Sequence, residues 1–269
     1  ALLLPQIVTA AYTNINKSML GWFDTTNSVA FFNQADMVIR AAFAAVSSFA
    51  GAFLPRLSNM FSEGRVDEGK KLILLALQIM YTLSFLAIAG IIGVSHNFAI
   101  FFFGNKFIDV GPLMAVEAPV ILFFGIAVVI RSQYLMAVRR TKEITIASVI
   151  ALGANIVVNL IMIPFLGAMG ATITVLVTEA VTTGYLVWVV RDEFRYREIF
   201  HGFWKYLISG IISCIMIWFI NNFMRAAIFS YLVQTIIGCA VYIVILLILK
   251  APIIKMLARL NVKKVFNKK

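Results

Sequence analysis

The stretch ITIASVIALGANIVVNLIMIPFLGAMGATITVLVTEAVTTGYLVWVV, residues 144–190, is almost entirely apolar and carries one charged side chain, Glu179. About 20 apolar residues suffice for one helix to cross the hydrocarbon core of a bilayer. The stretch is therefore long enough for two crossings. The second crossing opens with Gly167 and Gly170, and small residues of this kind let two helices approach closely. The sequence predicts a tight helical hairpin with arms at residues 144–166 and 168–190.

The composition of the whole chain indicates an integral membrane protein. Of its 269 residues, 62% are hydrophobic and only 13% are charged, whereas a soluble domain carries about 25% charged residues. Hydropathy predicts about eight transmembrane helices in an all-α polytopic bundle. Besides the two hairpin arms, the predicted spans are residues 1–14, 29–54, 72–94, 112–130, 203–222 and 228–249. We expect the chain to begin inside its first helix.

The end of the third span is predicted from local turn chemistry. Ser95 and His96 interrupt an apolar run that would otherwise be overlong for one crossing. The following segment NFAIFFFGNKF, residues 97–107, is expected to form a short interfacial helix. Gly104 and Asn105 supply residues typical of a turn. The sequence therefore predicts a break at residues 95–96 and a turn at residues 104–105.

The basic residues alternate from one side of the predicted spans to the other. Nineteen of the 23 Lys and Arg lie in the connections on one side or in the C-terminal tail, three lie on the opposite side, and Arg40 lies inside a span. Cytoplasmic loops carry such an excess of basic residues, so this side and the C-terminus are predicted to be cytoplasmic. We therefore attribute the net charge of +11 to basic residues that set the membrane orientation and face anionic lipid. No nucleic-acid partner is predicted. The tail KMLARLNVKKVFNKK, residues 255–269, is expected either to lie on the inner leaflet or to be a solvated end.

Asp36 and Arg40 lie one helical turn apart inside the second span. An intramembrane charge costs about 2.5 to 3.5 kcal/mol, so each needs a partner or a water-lined cavity. The spacing allows the two side chains to pair. One interpretation is a structural ion pair. The other is a substrate site, in which Arg40 faces a central cavity and attracts an anionic substrate while Asp36 orients it.

Other polar residues inside the spans are candidates for ion coupling. Glu179 lies near mid-span after several threonines, and it either couples an ion or proton or is held neutral by hydrogen bonds. Asn155 and Asn159 share one helical face, where amides either join helices or coordinate a cation. We therefore name Glu179, Asn155, Asn159 and Thr178 as ion-coupling candidates. Glu117, near the outer end of the fourth span, is expected to reach water by snorkelling.

The sequence contains no recognisable catalytic pattern. His96 and His201 fall at opposite ends of the predicted spans, too far apart to share a metal. No nucleophile elbow, Walker A or Rossmann glycine pattern is present. We therefore predict no enzyme, no catalytic residue, no metal site and no cofactor beyond coupling to H⁺ or Na⁺.

Six motifs occur in an order that resembles the C-terminal half of the polysaccharide-biosynthesis flippases. These belong to the multidrug/oligosaccharidyl-lipid/polysaccharide exporter superfamily, and they move O-antigen or capsule repeat units. The motifs are LLLPQIVTAAYTNINKSMLG (2–21), VAFFNQADMVIR (29–40), FLPRLSNMF (53–61), FFFGNKF (101–107), IRSQYLMAVRRTK (130–142) and NIVVNLIMIPFLGAMGATITVLVTE (155–179).

The resemblance implies both an architecture and a function. Such proteins have two six-helix lobes and two terminal helices, so residues 1–190 are expected to be the second lobe, with a truncated first helix. Residues 191–269 are expected to be the terminal helices and a basic cytoplasmic tail. The implied function is flipping of undecaprenyl-pyrophosphate-linked oligosaccharide across the bacterial cytoplasmic membrane by alternating access. The implied partners are this lipid-linked oligosaccharide, membrane lipids and the missing N-terminal lobe.

The chain also departs from the family pattern. Asn16 stands where an acidic residue usually precedes the Lys, and Met37 stands where a basic residue is common, which makes Arg40 a candidate for the positive charge. Some lipid II flippases of the superfamily bind sodium in the second lobe, between its first, fifth and sixth helices. Asn155, Asn159 and Thr178 are similar in placement here. The acidic ligand of that site has no obvious counterpart.

Two other functions stay open beside the flippase. A cation-coupled multidrug antiporter of the same fold would use acidic residues such as Asp36 and Glu179 in its cavity. A membrane-embedded glycosyl or acyl transferase is disfavoured, because the outer loops are short and no metal or His-Asp motif is present.

Overall fold

The computed structural model describes residues 14–51, 53–224 and 227–256, and these ranges are dominated by helices. Six helical segments are long and apolar enough to cross a membrane: Thr26–Phe49, Val66–Phe103, Val110–Leu135, Thr141–Val189, Tyr196–Phe223 and Ile228–Ile248. The predicted all-helical, multi-pass membrane fold is confirmed. Most of the predicted first span and the tail from residue 257 onward lie outside the described residues.

The helices follow one another with short connections. In chain order they are α1 (residues 14–23), α2 (Thr26–Gly51), α3 (Leu54–Ser62), α4 (Val66–Phe103), α5 (Val110–Glu117), α6 (Val120–Val128), α7 (Thr141–Val189), α8 (Tyr196–Ile199), α9 (Phe203–Phe223) and α10 (Ile228–Ile248). A π-helix at Val129–Leu135 continues α6, so that α5, α6 and this segment together make one span. The predicted fourth span, residues 112–130, lies within that segment.

Helix α7 folds back on itself at Gly167, where the backbone is non-helical with φ 53° and ψ −128°. Positive φ is a conformation that glycine adopts readily and other residues rarely do. Beyond the fold, Gly170 packs directly on the backbone of Met162 in the first arm. The Asn155 side chain donates a hydrogen bond to Thr178 Oγ1 at 3.4 Å, which joins the arms further along. The predicted hairpin is therefore confirmed, and α7 is long and apolar enough to cross a membrane twice.

Helix α4 runs without a break through Ser95 and His96. The predicted interruption at these residues is therefore wrong, and the segment expected to be a separate interfacial helix is the last part of α4. Ser95 Oγ donates to the Ile92 carbonyl within the helix, which satisfies the hydroxyl without ending the helix. The helix ends at Gly104, whose φ of 92° supports the turn predicted there.

Contacts gather the basic connections at one end of the bundle. Arg140 forms ion pairs with Glu143 and Glu193, which ties the two ends of α7 together. Lys70 Nζ lies 5.9 Å from the centre of the Phe194 ring, and Lys205 Nζ donates to the Lys250 carbonyl at 3.0 Å.

Other contacts mark the opposite end of the bundle. The Asn97 side chain donates to the Asn221 carbonyl at 3.3 Å, and the rings of Phe31 and Phe107 pack edge to face. The grouping of connections at two ends agrees with the alternation of basic residues in the sequence. The membrane orientation itself stays a prediction.

A buried polar network fastens α9 and the segment after α10 to α4. The Tyr206 hydroxyl donates to Gln78 Oε1 at 2.7 Å and accepts from the Ile253 amide at 3.1 Å. The Gln78 amide in turn donates to the His201 carbonyl at 3.2 Å. Because Tyr206 and Gln78 are both buried, each group depends on the other for its hydrogen bonds.

Replacing Tyr206 by Phe is expected to loosen the segment around Ile253. The change leaves Gln78 Oε1 and the Ile253 amide without the Tyr206 hydroxyl as a partner, at a cost of about 1 to 3 kcal/mol. Hydrogen exchange followed by mass spectrometry should show faster exchange at residues 250–256. The matched control is Tyr196→Phe, because Tyr196 is an exposed tyrosine. Exchange that is equally fast in Tyr206→Phe and the wild-type chain would show that the hydroxyl does not hold this segment.

Candidate functional site

Helix α2 has one buried face and one exposed face within the described residues. Phe32, Ala35 and Ile39 are buried, whereas Met37, Ala41, Ala44 and Ser48 are exposed at helical spacing. Between Met37 and Phe49, which are large, the exposed side chains of α2 are small, whereas α10 exposes several large aliphatic side chains. Arg40 lies beside this face with its side chain 41% exposed.

Asp36 and Arg40 form the ion pair that their spacing allows. Arg40 Nε donates to both carboxylate oxygens of Asp36, at 2.7 and 2.8 Å. The Asp36 side chain is only 7% exposed, so its charge is largely removed from water and depends on the guanidinium. The guanidinium carbon also lies 6.0 Å from the centre of the Phe124 ring, on α6. Helix α2 therefore holds a cationic group at the boundary between its buried and exposed faces.

Glu117 is fully buried against α2, and the expectation that it snorkels to water is wrong. Its exposed fraction is 0%, and its carboxyl lies within hydrogen-bonding reach of Asp36. The neighbouring residues Leu113 and Met114 pack with Ala35 of α2 in one apolar cluster. Helix α5 thus turns Glu117 toward α2 even though the residue lies close to a helix end. Glu117 joins Asp36 and Arg40 in a three-residue charged cluster.

An apolar groove of about 500 Å³ runs along the same helix. Helix α2 forms one wall of the groove through residues such as Val38 and Ala42, which lie on the opposite side of the helix from Arg40, because residues two apart do not share a helical face. The other walls come from α4 and α10, with Met114 of α5 and Ile217 of α9. One helix therefore supplies both a partly exposed arginine and the side of an apolar groove.

A second polar cluster joins α1 to the two arms of α7. The Asn159 amide nitrogen donates to Asn16 Oδ1 at 2.6 Å and to Asn155 Oδ1 at 3.0 Å. Asn155 in turn donates to Thr178. Asn16, Asn155, Asn159 and Thr178 are all buried. The structure therefore brings three of the four predicted ion-coupling residues together and adds Asn16.

The contacts of Asn16 and Glu117 were not predicted from the sequence. Glu117 is a polar residue in an apolar run, and that is the signal that could have marked it, whereas Asn16 lies in the polar stretch TNINKS, residues 13–18, which offers no such signal. Their partners lie on other helices, so spacing along the chain did not reveal them. Glu179, the fourth predicted coupling residue, is buried on the second arm of α7, one residue after Thr178. Within the described ranges, no group of three or more His, Cys, Asp or Glu is placed to hold a metal ion.

The membrane-length helices and the folded-back α7 define a multi-pass helical membrane protein. No protein-family model matches the chain, and no curated protein matches its sequence. Among solved structures, it is similar to "Lipid II flippase MurJ, inward closed conformation", with a TM-score of 0.76 and 19% sequence identity. The match covers 90% of this chain and 51% of that structure, so the chain spans about half the length of the flippase. A likeness at this identity establishes the fold.

Proposed function

We propose that the chain is part of a transporter that flips a lipid-linked substrate across a membrane without breaking a bond. The specific substrate we propose is undecaprenyl-pyrophosphate-linked oligosaccharide, moved by alternating access for surface polysaccharide export. Residues 1–190 would form the second six-helix lobe, and residues 191–269 the two terminal helices with a cytoplasmic tail. A further lobe would complete the cavity on the exposed face of α2. The membrane in this proposal is the bacterial cytoplasmic membrane.

The position of Arg40 is the observation that carries the proposal. A guanidinium is a strong partner for phosphate oxygens, because it donates several hydrogen bonds in a fixed planar arrangement. Asp36 holds the Arg40 side chain in place from a buried position, while 41% of that side chain stays exposed. In this proposal the pyrophosphate binds Arg40, and Asp36 orients the guanidinium for it.

The apolar groove along α2 supports a substrate that is partly lipid. Its wall on α2 includes Val38 and Ala42, and Phe49 lines the groove further along the helix. A prenyl chain buries favourably in such a groove at about 25 cal/mol per Å² of apolar area. Because these residues face away from Arg40, a substrate whose pyrophosphate binds Arg40 would have to pass around α2 to place its prenyl chain in the groove.

Reconstitution of the complete protein that contains this chain tests the function directly. Proteoliposomes would receive either a fluorescent prenyl-pyrophosphate oligosaccharide or a cationic drug, with and without an ion gradient. The flippase proposal expects the lipid-linked oligosaccharide to change leaflet and the drug to stay where it was added. Drug transport without lipid transport would instead favour the cation-coupled antiporter, for which the buried carboxyls of Glu117 and Glu179 are candidate sites.

We also propose Glu179, with Asn155, Asn159 and Thr178, as the place where H⁺ or Na⁺ couples to transport. Glu179→Gln keeps the size of the side chain and removes its charge, so the stimulation of transport by the ion gradient should be lost. For couplings of this kind the stimulation is about 5- to 150-fold. The control is Glu63→Gln, because Glu63 is an exposed carboxylate beside Arg65 at the basic end. If the ion gradient still stimulates transport in Glu179→Gln, Glu179 serves packing and does not couple the ion.

A further inference from the structure

The contact between Glu117 and Asp36 brings two carboxyl groups together inside the bundle. Glu117 lies on α5 with no exposed surface, and Asp36 lies on α2 with 5% of its surface exposed. The Glu117 carboxyl is within hydrogen-bonding reach of Asp36. Among the described residues, neither Glu117 oxygen has a hydrogen-bond donor to accept from. The group shown within hydrogen-bonding reach of this buried carboxyl is therefore another carboxyl, that of Asp36.

Two ionised carboxylates cannot hydrogen-bond to each other, because both offer only acceptor oxygens. Placing a second negative charge beside Asp36 in a medium of low dielectric is also strongly unfavourable. One proton resolves both problems, since a protonated carboxyl can donate to an ionised one. Asp36 already accepts two hydrogen bonds from Arg40 Nε, whereas Glu117 has no such donor among the described residues. Glu117 then holds the proton.

The charged groups around Glu117 come from one helix. Asp36 and Arg40 of α2 are the charged residues that act on it electrostatically. Helix α4 places His96 against the backbone of Gly111, near the opposite end of α5, and the second arm of α7 carries Glu179. With one proton on the carboxyl pair, the cluster of Asp36, Arg40 and Glu117 is neutral.

We propose that Asp36 and Glu117 form a proton-binding site that holds a single shared proton, and that loss of this proton weakens anion binding at Arg40. Without the proton, two negative charges lie beside one guanidinium, and an approaching anion is repelled. With the proton, the cluster is neutral and the exposed edge of Arg40 accepts an anion. By linkage, anion binding raises the affinity of the carboxyl pair for its proton by the same factor. The second part of this proposal, the link between the proton and anion binding at Arg40, rests on the proposed function, in which the anion is a pyrophosphate.

Infrared spectroscopy of the full chain in lipid nanodiscs tests the shared proton without any substrate. The wild-type chain at neutral pH should show the C=O stretch of a protonated carboxylic acid, and Glu117→Gln should lack that band. The substitution keeps the fold, because the Gln amide can donate to Asp36 as the protonated acid does. The control Glu63→Gln removes an exposed carboxylate and should keep the band. A difference spectrum without this band would overturn the shared proton.

Binding of inorganic pyrophosphate, measured by calorimetry as a function of pH, tests the link to Arg40. Above the pH at which the infrared band disappears, the affinity of the wild-type chain should fall by up to about tenfold per pH unit relative to Glu117→Gln. The ionisation of pyrophosphate is common to both proteins and cancels in this comparison. Identical pH profiles would overturn the link. Absence of binding to either protein at every pH would contradict the proposed function at Arg40, while the infrared result would still decide the shared proton.

Discussion

Replacing Arg40 by Gln in the complete protein is expected to lower the rate at which a prenyl-pyrophosphate oligosaccharide changes leaflet by about 100-fold. Hydrogen bonds to charged groups contribute about 1.5 to 3 kcal/mol each. Loss of about 2.7 kcal/mol from the rate-limiting step corresponds to a factor of 100. The measurement is fluorescence quenching of the labelled lipid in proteoliposomes. Arg40→Lys keeps the charge but not the planar donor group, so it should retain part of the activity.

The same substitution leaves the buried Asp36 without its cation, so folding must be separated from binding. Removing one partner of a buried ion pair costs about 3 to 5 kcal/mol, whereas neutralising both partners avoids most of that cost. The double variant Asp36→Asn with Arg40→Gln should therefore fold, as judged by its thermal midpoint in detergent, and should still not transport. Arg197→Gln, at an exposed position on α8, is the control for loss of a basic residue. A folded double variant that transports at the wild-type rate would show that Arg40 does not bind the substrate.

Gly170→Leu is expected to prevent the arms of α7 from closing, so that little folded protein is recovered. A Cβ at this position would meet the Met162 carbonyl and would lie 2.9 Å from the Ile163 amide nitrogen. Both are backbone atoms and cannot move aside as a flexible side chain could. The arms would have to separate, which would disturb the packing of Ile163 with Ala171 and Val175. We expect a cost of about 3 kcal/mol or more, at the upper end of the range for overpacked cores.

The matched control for Gly170 lies on the same arm of α7. A Cβ at Gly184 would meet no atom of another residue within 4 Å, and the position is exposed. Gly184→Leu should therefore change stability by about 0.5 kcal/mol or less. The readouts are the monodisperse fraction after size-exclusion chromatography and the thermal midpoint in detergent. Equal midpoints for the two variants would show that close contact between the arms does not stabilise the bundle.

The features predicted correctly from the sequence depend on residues close together in the chain. The hairpin of α7 follows from an apolar run of two membrane lengths with Gly167 between the halves. The pairing of Asp36 with Arg40 follows from helical spacing alone. The grouping of basic connections at one end follows from counting charges between spans. In each case the deciding interaction is within one element or with the membrane itself, so no knowledge of the packing between helices is needed.

The errors and omissions have a common physical cause in the packing between helices. Helix α4 continues through Ser95 and His96, because the Ser95 hydroxyl bonds to its own helix and the His96 side chain lies at an exposed position. Glu117 was expected at water because it lies near a helix end. The rotation of α5 against α2 buries it instead.

The sequence by itself determined that this is a polytopic helical membrane protein, that most of its apolar segments are long enough to cross a membrane, and that Asp36 and Arg40 can pair. Tertiary structure alone decided that Glu117 contacts Asp36 and that Asn16 accepts a hydrogen bond from Asn159. The reason is that hydropathy and spacing report how a residue meets its own helix and the lipid. Contacts between helices depend on how each one is rotated and placed, and that is set by packing over the whole bundle.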